Sequence, residues 1–192
     1  MNHTPQIKKD IQFAARKHHG HMRQETAPLP YITHLFSVAI LVAEDGADDD
    51  VVSAALLHDT IEDTGTTREE IADAFNGRVA ELVEHVSEQK EIDGKKVDWK
   101  KRKESYLKHL EEAPEDALRI AIADKIDNVE SKLEAFEKEG KALLARWKQP
   151  PEAYVWYHGE ALRIAQARLP EDRLTKRLAE AHAKERAMLS GR

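Results

Sequence analysis

The chain contains no cysteine. That excludes disulfides and thiolate-held zinc and leaves the redox compartment open. Glycine and proline are sparse, eight and seven in 192 residues, and there are only four phenylalanines, which argues against a large β structure. No apolar run approaches membrane-spanning length, and Met1-Asn2-His3-Thr4-Pro5 opens no apolar signal region. The expectation is a cytoplasmic protein. Net charge is −6 with ten histidines uncounted, so no general basic footprint for nucleic acid is visible. What is present is 41% hydrophobic and 34% charged residues, the balance of a helix-rich domain. An all-α fold is expected, with residues 1–192 forming one domain. Its core spans about 6–136, and a C-terminal helical extension spans about 141–189.

One stretch organises the rest: Ala54-Ala55-Leu56-Leu57-His58-Asp59-Thr60-Ile61-Glu62-Asp63-Thr64. Small and apolar residues run straight into His-Asp and then into Glu-Asp. On one continuous helix, residues four apart share a face, which sets His58 above Glu62 and Asp59 above Asp63. Three carboxylates and an imidazole then crowd the inner side of the protein. Unpaired charge there is costly, and a cation removes the conflict. Histidine and aspartate are good ligands for a divalent metal.

Around this stretch the pattern is helical. Ile7, Ile11, Ala14 and Ala15 mark a helix over 6–19, starting at Thr4-Pro5. A polar loop follows, in which Arg23 can contact an anion, stack on a base, or simply be solvated. A second helix begins at Tyr31-Ile32-Thr33-His34, with Thr33 as its expected N-cap and His34 at the head of its apolar face, either a core or capping histidine or, where the fold brings it beside His58 and Asp59, a ligand. Asp49 or Asp50 is expected to cap the third helix. Thr67 with Glu69-Glu70 reads as the start of a short helix over 68–75, and Asn76-Gly77 breaks it before the next. Residues 87–98, with Asp93-Gly94, read as a mobile loop. Trp99 opens a basic helix carrying Lys100, Lys101, Arg102 and Lys103, either a solvated face or a patch for a phosphorylated substrate.

Pro114 starts a helix that is apolar almost all round, and is therefore central. Asp124 is set into it, and Asn128 shares its face. A buried aspartate needs a partner, either a nearby Lys or Arg or a metal ion. The aromatic segment Tyr154-Val155-Trp156-Tyr157 opens an amphipathic helix, and residues 171–189 read as the last one.

His34, His58, Asp59 and Asp124 make a set of two imidazoles and two carboxylates from three helices. Such a set leaves positions on an octahedral ion open for water and substrate. Manganese, iron, nickel, cobalt and zinc all accept these ligands. Glu62 and Asp63, beside the set, are placed to orient a water, take its proton, or protonate a leaving group. The reaction class is metal-assisted hydrolysis of a phosphate ester or anhydride.

These motifs resemble the HD-domain phosphohydrolases, in particular the alarmone hydrolases of the RelA/SpoT type and their small stand-alone relatives. The resemblance rests on Ala14 to His18, Arg23, Pro30-Tyr31-Ile32-Thr33-His34, Ala54 to Thr64, and Ala123-Asp124-Lys125-Ile126-Asp127-Asn128. It spans about residues 10–135. It implies an all-α HD-domain helical bundle and a manganese-dependent 3′-pyrophosphohydrolase acting on (p)ppGpp, with a small nucleotide as partner. By position it implies His34, His58, Asp59 and Asp124 as metal ligands, Glu62 and Asp63 as the catalytic pair, and Arg23 and Asn128 as nucleoside contacts. Three positions depart from the family pattern: Gln24 in place of a lysine, a longer loop over Glu25 to Leu29, and Leu35 in place of a proline. The alternatives are a phosphohydrolase of another nucleotide and a non-catalytic nucleotide-sensing module.

Overall fold

The computed structural model describes residues 4–23, 28–92 and 95–190. Gln24, the Glu25 to Ala27 part of the longer loop and the Asp93-Gly94 pair lie outside the described residues. The described chain is built from helices: α1 (Pro5–Lys17), α2 (Ile32–Glu44), α3 (Asp49–Leu57), α4 (Thr60–Thr64), α5 (Arg68–Ala74), α6 (Gly77–Val86), α7 (Trp99–Glu112), α8 (Glu115–Glu139), α9 (Pro151–Arg168) and α10 (Arg173–Ser190). A 3-10 stretch, Gly140–Arg146, links α8 to α9. Strands of two residues, β1 (Glu91–Ile92) and β2 (Lys95–Lys96), pair antiparallel between α6 and α7.

Side-chain caps set many of the helix starts. Thr4 caps α1, Asp48 caps α3, Asn76 caps α6 and Asp98 caps α7, each accepting from backbone N–H groups of the first turn. Thr67 and Glu70 form a reciprocal capping box at α5. Two expected caps fall elsewhere. Asp48, one residue before the expected pair, caps α3, and Asp49 and Asp50 become its first-turn acids, where the helix dipole favours them. Tyr31, not Thr33, stands at the N-cap of α2, and the Thr33 hydroxyl instead donates to the Pro30 carbonyl at 2.8 Å. The expected loop over 87–98 contains the β1–β2 pairing.

The helix expected to run unbroken from Ala54 through Asp63 is interrupted. α3 stops at Leu57, and Asp59 leaves helical geometry at φ −96° and ψ 1°. α4 restarts at Thr60 and ends at Gly65, whose φ of 69° lies in the left-handed region that glycine tolerates. His58-Asp59 therefore occupies a turn between two helices rather than one helical face.

α3 lies at the centre. Every residue from Val51 to Leu57 is buried, and each fully buried leucine contributes about 1.5–3 kcal/mol. α1, α2 and α6 pack on α3, while α2, α6, α9 and α10 pack on α8. Tyr157, Ala161, Ile164 and Ala165 of α9 and Leu174 and Leu178 of α10 join the same apolar cluster as α3 and α8. A smaller cluster of Ala135, Leu143, Trp147 and Tyr154 closes the far end of α8.

A carboxyl group sits inside the packing of α1 on α3. Asp10 of α1 is fully buried and accepts a hydrogen bond from Ser53 of α3. Burial pushes its carboxyl from 3.8 up to about 6, against the opposing effects of the Ser53 bond and Lys9. A raised folded pKa favours the protonated form. This group's stabilisation is therefore complete below about pH 4 and is lost as pH rises through about 6. Asp10→Asn should gain stability relative to the wild type between pH 4 and pH 7, read as the difference in Tm at the two pH values. A difference that does not change with pH would contradict this.

Candidate metal centre

Four expected ligands from three places in the chain meet at one point. His34 comes from the first turn of α2, His58 and Asp59 from the turn after α3, and Asp124 from the middle of α8. One ligand atom each from His34, His58 and Asp59 lies within 4.8 Å of the others. His58 Nε2 is 3.0 Å and His34 Nε2 3.6 Å from Asp59 Oδ2. Asp124 Oδ1 lies 3.2 Å from His34 Nε2 and 4.0 Å from His58 Nε2. The two imidazoles meet edge to face with centroids 5.1 Å apart.

The tautomers follow from the partners. His58 Nδ1 lies 2.8 Å from the Ala55 carbonyl and His34 Nδ1 lies 2.6 Å from Asp127 Oδ2; both oxygens can only accept, so both Nδ1 atoms carry hydrogen. Both Nε2 atoms are left to face the carboxylates. His58 Nε2 is buried and makes no hydrogen bond among the described residues. An orphaned imidazole nitrogen beside two partly buried carboxylates is what a divalent cation satisfies, so the residues present fit a metal.

The charged groups of the cluster shift one another's protonation. Burial disfavours protonation of His58, but Asp59 and Asp124 prevail and push it up to about 9. Burial would raise Asp59 and Asp124; His58 beside the first and Lys125 beside the second hold both below the usual carboxylate range.

A second layer fixes this cluster, and much of it was not singled out from the sequence. The Tyr31 hydroxyl donates to Asp59 Oδ2 at 2.6 Å, and the Tyr31 ring stacks on buried His18 at 5.4 Å. Lys125 Nζ donates to Asp124 Oδ2 at 2.6 Å and lies over the Tyr106 and Tyr157 rings at 4.7 and 5.3 Å. Asp127 orients His34 and pairs with Arg23. The only local sign of that role was an aspartate three residues beyond Asp124 on α8.

The expected nucleoside contacts are engaged with protein. Arg23 donates to Asp127 and, at 3.0 Å, to Asn128 Oδ1, and Asn128 Nδ2 donates to Asp124 Oδ1. Glu62 and Asp63 stand on α4 beside the cluster. Glu62 Oε2 accepts from the Glu88 backbone N–H at 3.2 Å, and Lys90 Nζ lies 3.1 Å from Glu62 Oε1 and also donates to Asp63. Burial and then the Asp59 charge raise the Glu62 carboxyl, against Lys90 and Lys103. The basic run of α7 is mostly committed: Arg102 and Lys103 both donate to Glu88 Oε2, at 2.7 and 3.2 Å, and Lys100 lies over the Trp156 ring.

Two substitutions test the centre by metal content. Asp59→Asn should abolish retention of a divalent metal in the purified protein. Asp127→Asn should weaken divalent-metal affinity by about 10–100-fold, because the imidazole it orients loses its anchor. Wild-type affinity in Asp127→Asn would dismiss the orienting role.

The family described as HD domain matches residues 11–149. The chain is 38% identical over 151 residues to a guanosine-3′,5′-bis(diphosphate) 3′-pyrophosphohydrolase of Aquifex aeolicus, covering 76% of this chain and 21% of that protein. It is 34% identical over 128 residues to the zebrafish (Danio rerio) guanosine-3′,5′-bis(diphosphate) 3′-pyrophosphohydrolase MESH1, covering 66% of this chain and 68% of that one. Against the human MESH1 it is 39% identical over 126 residues, covering 65% and 68%. The chain thus spans about a fifth of the bacterial relative and about two thirds of the vertebrate ones. A solved Listeria monocytogenes structure superposes with a TM-score of 0.72 at 27% identity, covering 79% of this chain and 97% of that one. A metazoan ortholog of SpoT described as hydrolysing ppGpp superposes with a TM-score of 0.78 at 24% identity, over 96% of this chain and 97% of that one.

Proposed function

This chain belongs to the HD domain family, and from that premise we propose that it is a manganese-dependent hydrolase that removes the 3′-pyrophosphate of guanosine 3′,5′-bis(diphosphate). The observation that carries the reading is the convergence of His34, His58, Asp59 and Asp124 beside two carboxylates outside the ligand set, Glu62 and Asp63. The relatives that share this chain's sequence at 34–39% identity and carry that activity in their names support the choice of substrate.

His34, His58, Asp59 and Asp124 would hold the ion. A bound divalent ion acidifies water and polarises a phosphoryl oxygen. Hydrolysis adds water to the phosphorus attached to the 3′ oxygen. That P–O bond breaks, leaving pyrophosphate and a 3′ hydroxyl. One proton leaves the water and one reaches the 3′ oxygen. Glu62 is suited to the first transfer: its carboxyl is raised, oriented by the Glu88 N–H, and close to the ligand cluster. Asp63, on the same short helix, is the second carboxylate available to the leaving oxygen. Tyr31, Lys125 and Asn128 each occupy a ligand carboxylate oxygen, which fixes the direction in which Asp59 and Asp124 present their charge.

Manganese-loaded protein should release pyrophosphate from guanosine 3′,5′-bis(diphosphate), leave GTP and nucleoside monophosphates intact, and lose activity on chelation. Single phosphate from monophosphates, with the bis(diphosphate) untouched, would make the protein a nucleotidase instead. Glu62→Gln should keep its manganese and lose turnover by about 10²–10⁴-fold. A wild-type rate in that variant removes Glu62 from the proton transfer.

A further inference from the structure

We infer that Lys90 is a substrate-binding residue whose ammonium, resting on Glu62 and Asp63, meets the terminal phosphoryl group of a diphosphate substrate. The inference rests on the functional reading above. It starts from which cations at the site can still move. Arg23 is tied to Asp127 and Asn128 and its side chain is 10% exposed. Lys125 is 5% exposed, bonded to Asp124 and enclosed by two tyrosine rings. Lys103 is 19% exposed, bonded to Glu88, and lies over the Tyr157 ring at 4.7 Å. Lys90 is 44% exposed and stands at the outer edge of the acid pair.

Its contacts define a position rather than a surface pairing. Nζ lies 3.1 Å from Glu62 Oε1 and 3.4 Å from the Glu62 carbonyl, and donates to Asp63 Oδ1. One ammonium thus bridges both carboxylates that face the scissile bond in the proposed chemistry. Two adjacent carboxylates need this charge when no substrate is present. An incoming diphosphate brings further negative charge to the same place, where Asp59, Asp124, Glu62 and Asp63 already repel it. A lysine on a flexible four-carbon stem can turn toward the phosphoryl oxygens while remaining near the pair. A diphosphate carries more negative charge than a monophosphate and has a second phosphoryl group for Lys90 to meet, so this contact favours a diphosphate over a monophosphate.

The test uses the 192-residue chain, loaded with manganese and freed of excess metal, as wild type, Lys90→Ala and Lys90→Arg. Inorganic pyrophosphate and inorganic phosphate are titrated calorimetrically. Lys90→Ala should weaken pyrophosphate binding about tenfold and phosphate binding less than about twofold, and Lys90→Arg should restore most of the loss. With guanosine 3′,5′-bis(diphosphate) as substrate, KM should rise about tenfold while kcat changes less than about threefold. Unchanged pyrophosphate affinity in Lys90→Ala overturns the inference, as does the absence of measurable pyrophosphate binding by the wild type. Equal losses for phosphate and pyrophosphate, or loss of manganese from the variant, also overturn it by exposing a merely structural role. If the wild type cleaves no bis(diphosphate), the functional reading fails, while the pyrophosphate titration still decides on Lys90.

Discussion

Asp59 and Asp124 converge on two imidazoles inside a helical core, and that juxtaposition sets the terms for everything around it. Two carboxylates removed from water repel each other and are stable only beside positive charge. Each imidazole has one nitrogen committed elsewhere, His58 to the Ala55 carbonyl and His34 to Asp127, so both offer Nε2 to the same carboxylates. The break between α3 and α4 follows from this requirement. On a continuous helix, Asp59 would project about 100° away from His58. The turn at Asp59 instead brings its Oδ2 to 3.0 Å from His58 Nε2.

Holding that cluster recruits nearly every large helix. α1 supplies His18, the platform for the Tyr31 ring, and Tyr31 in turn binds Asp59. α7 and α9 supply Tyr106 and Tyr157, whose rings confine Lys125 against Asp124. The C-terminal helices are therefore connected to the site through Tyr157 and are not only a cover for α8. Desolvating an ammonium is costly unless a carboxylate and aromatic faces replace its water, and Lys125 has both.

The sequence was most legible where the chemistry is local. Val51 to Leu57, the run into His58-Asp59 and the all-round apolar pattern of α8 are continuous in the chain, and burial follows from them directly. Thr67 was readable because a cap acts within three residues of itself; Asn76 was read only as a helix break, and it is also the N-cap of α6. The break at His58-Asp59 was not, because a spacing of four fits one helix as well as two joined by a turn. The roles of Asp127 and Lys125 depend on partners far away in sequence: His34 lies 93 positions from Asp127, and the Tyr157 ring belongs to another helix. In the sequence both appear as ordinary polar positions set into a mostly apolar helix. Lys90 sat in a stretch read as charged loop, with nothing local to tie it to Glu62 and Asp63.

The two sides of the site differ in rigidity, and the difference has a chemical logic. On the ligand side, His34 and His58 are almost completely buried, and each has its other ring nitrogen fixed by hydrogen bonding. That side has to hold charge in one geometry. On the acid side, Glu62, Asp63 and Lys90 are progressively more exposed, and α4 is only five residues long. In the proposed chemistry that side exchanges protons with water and admits a polyanion. Glu88 joins the two requirements. Its backbone N–H steadies Glu62, while its buried carboxylate holds Arg102 and Lys103 on α7. Those two cations therefore brace the acid side from behind. Among the described residues at the acid pair, Lys90 carries the exposed, adaptable positive charge that the proposed phosphorylated ligand would meet.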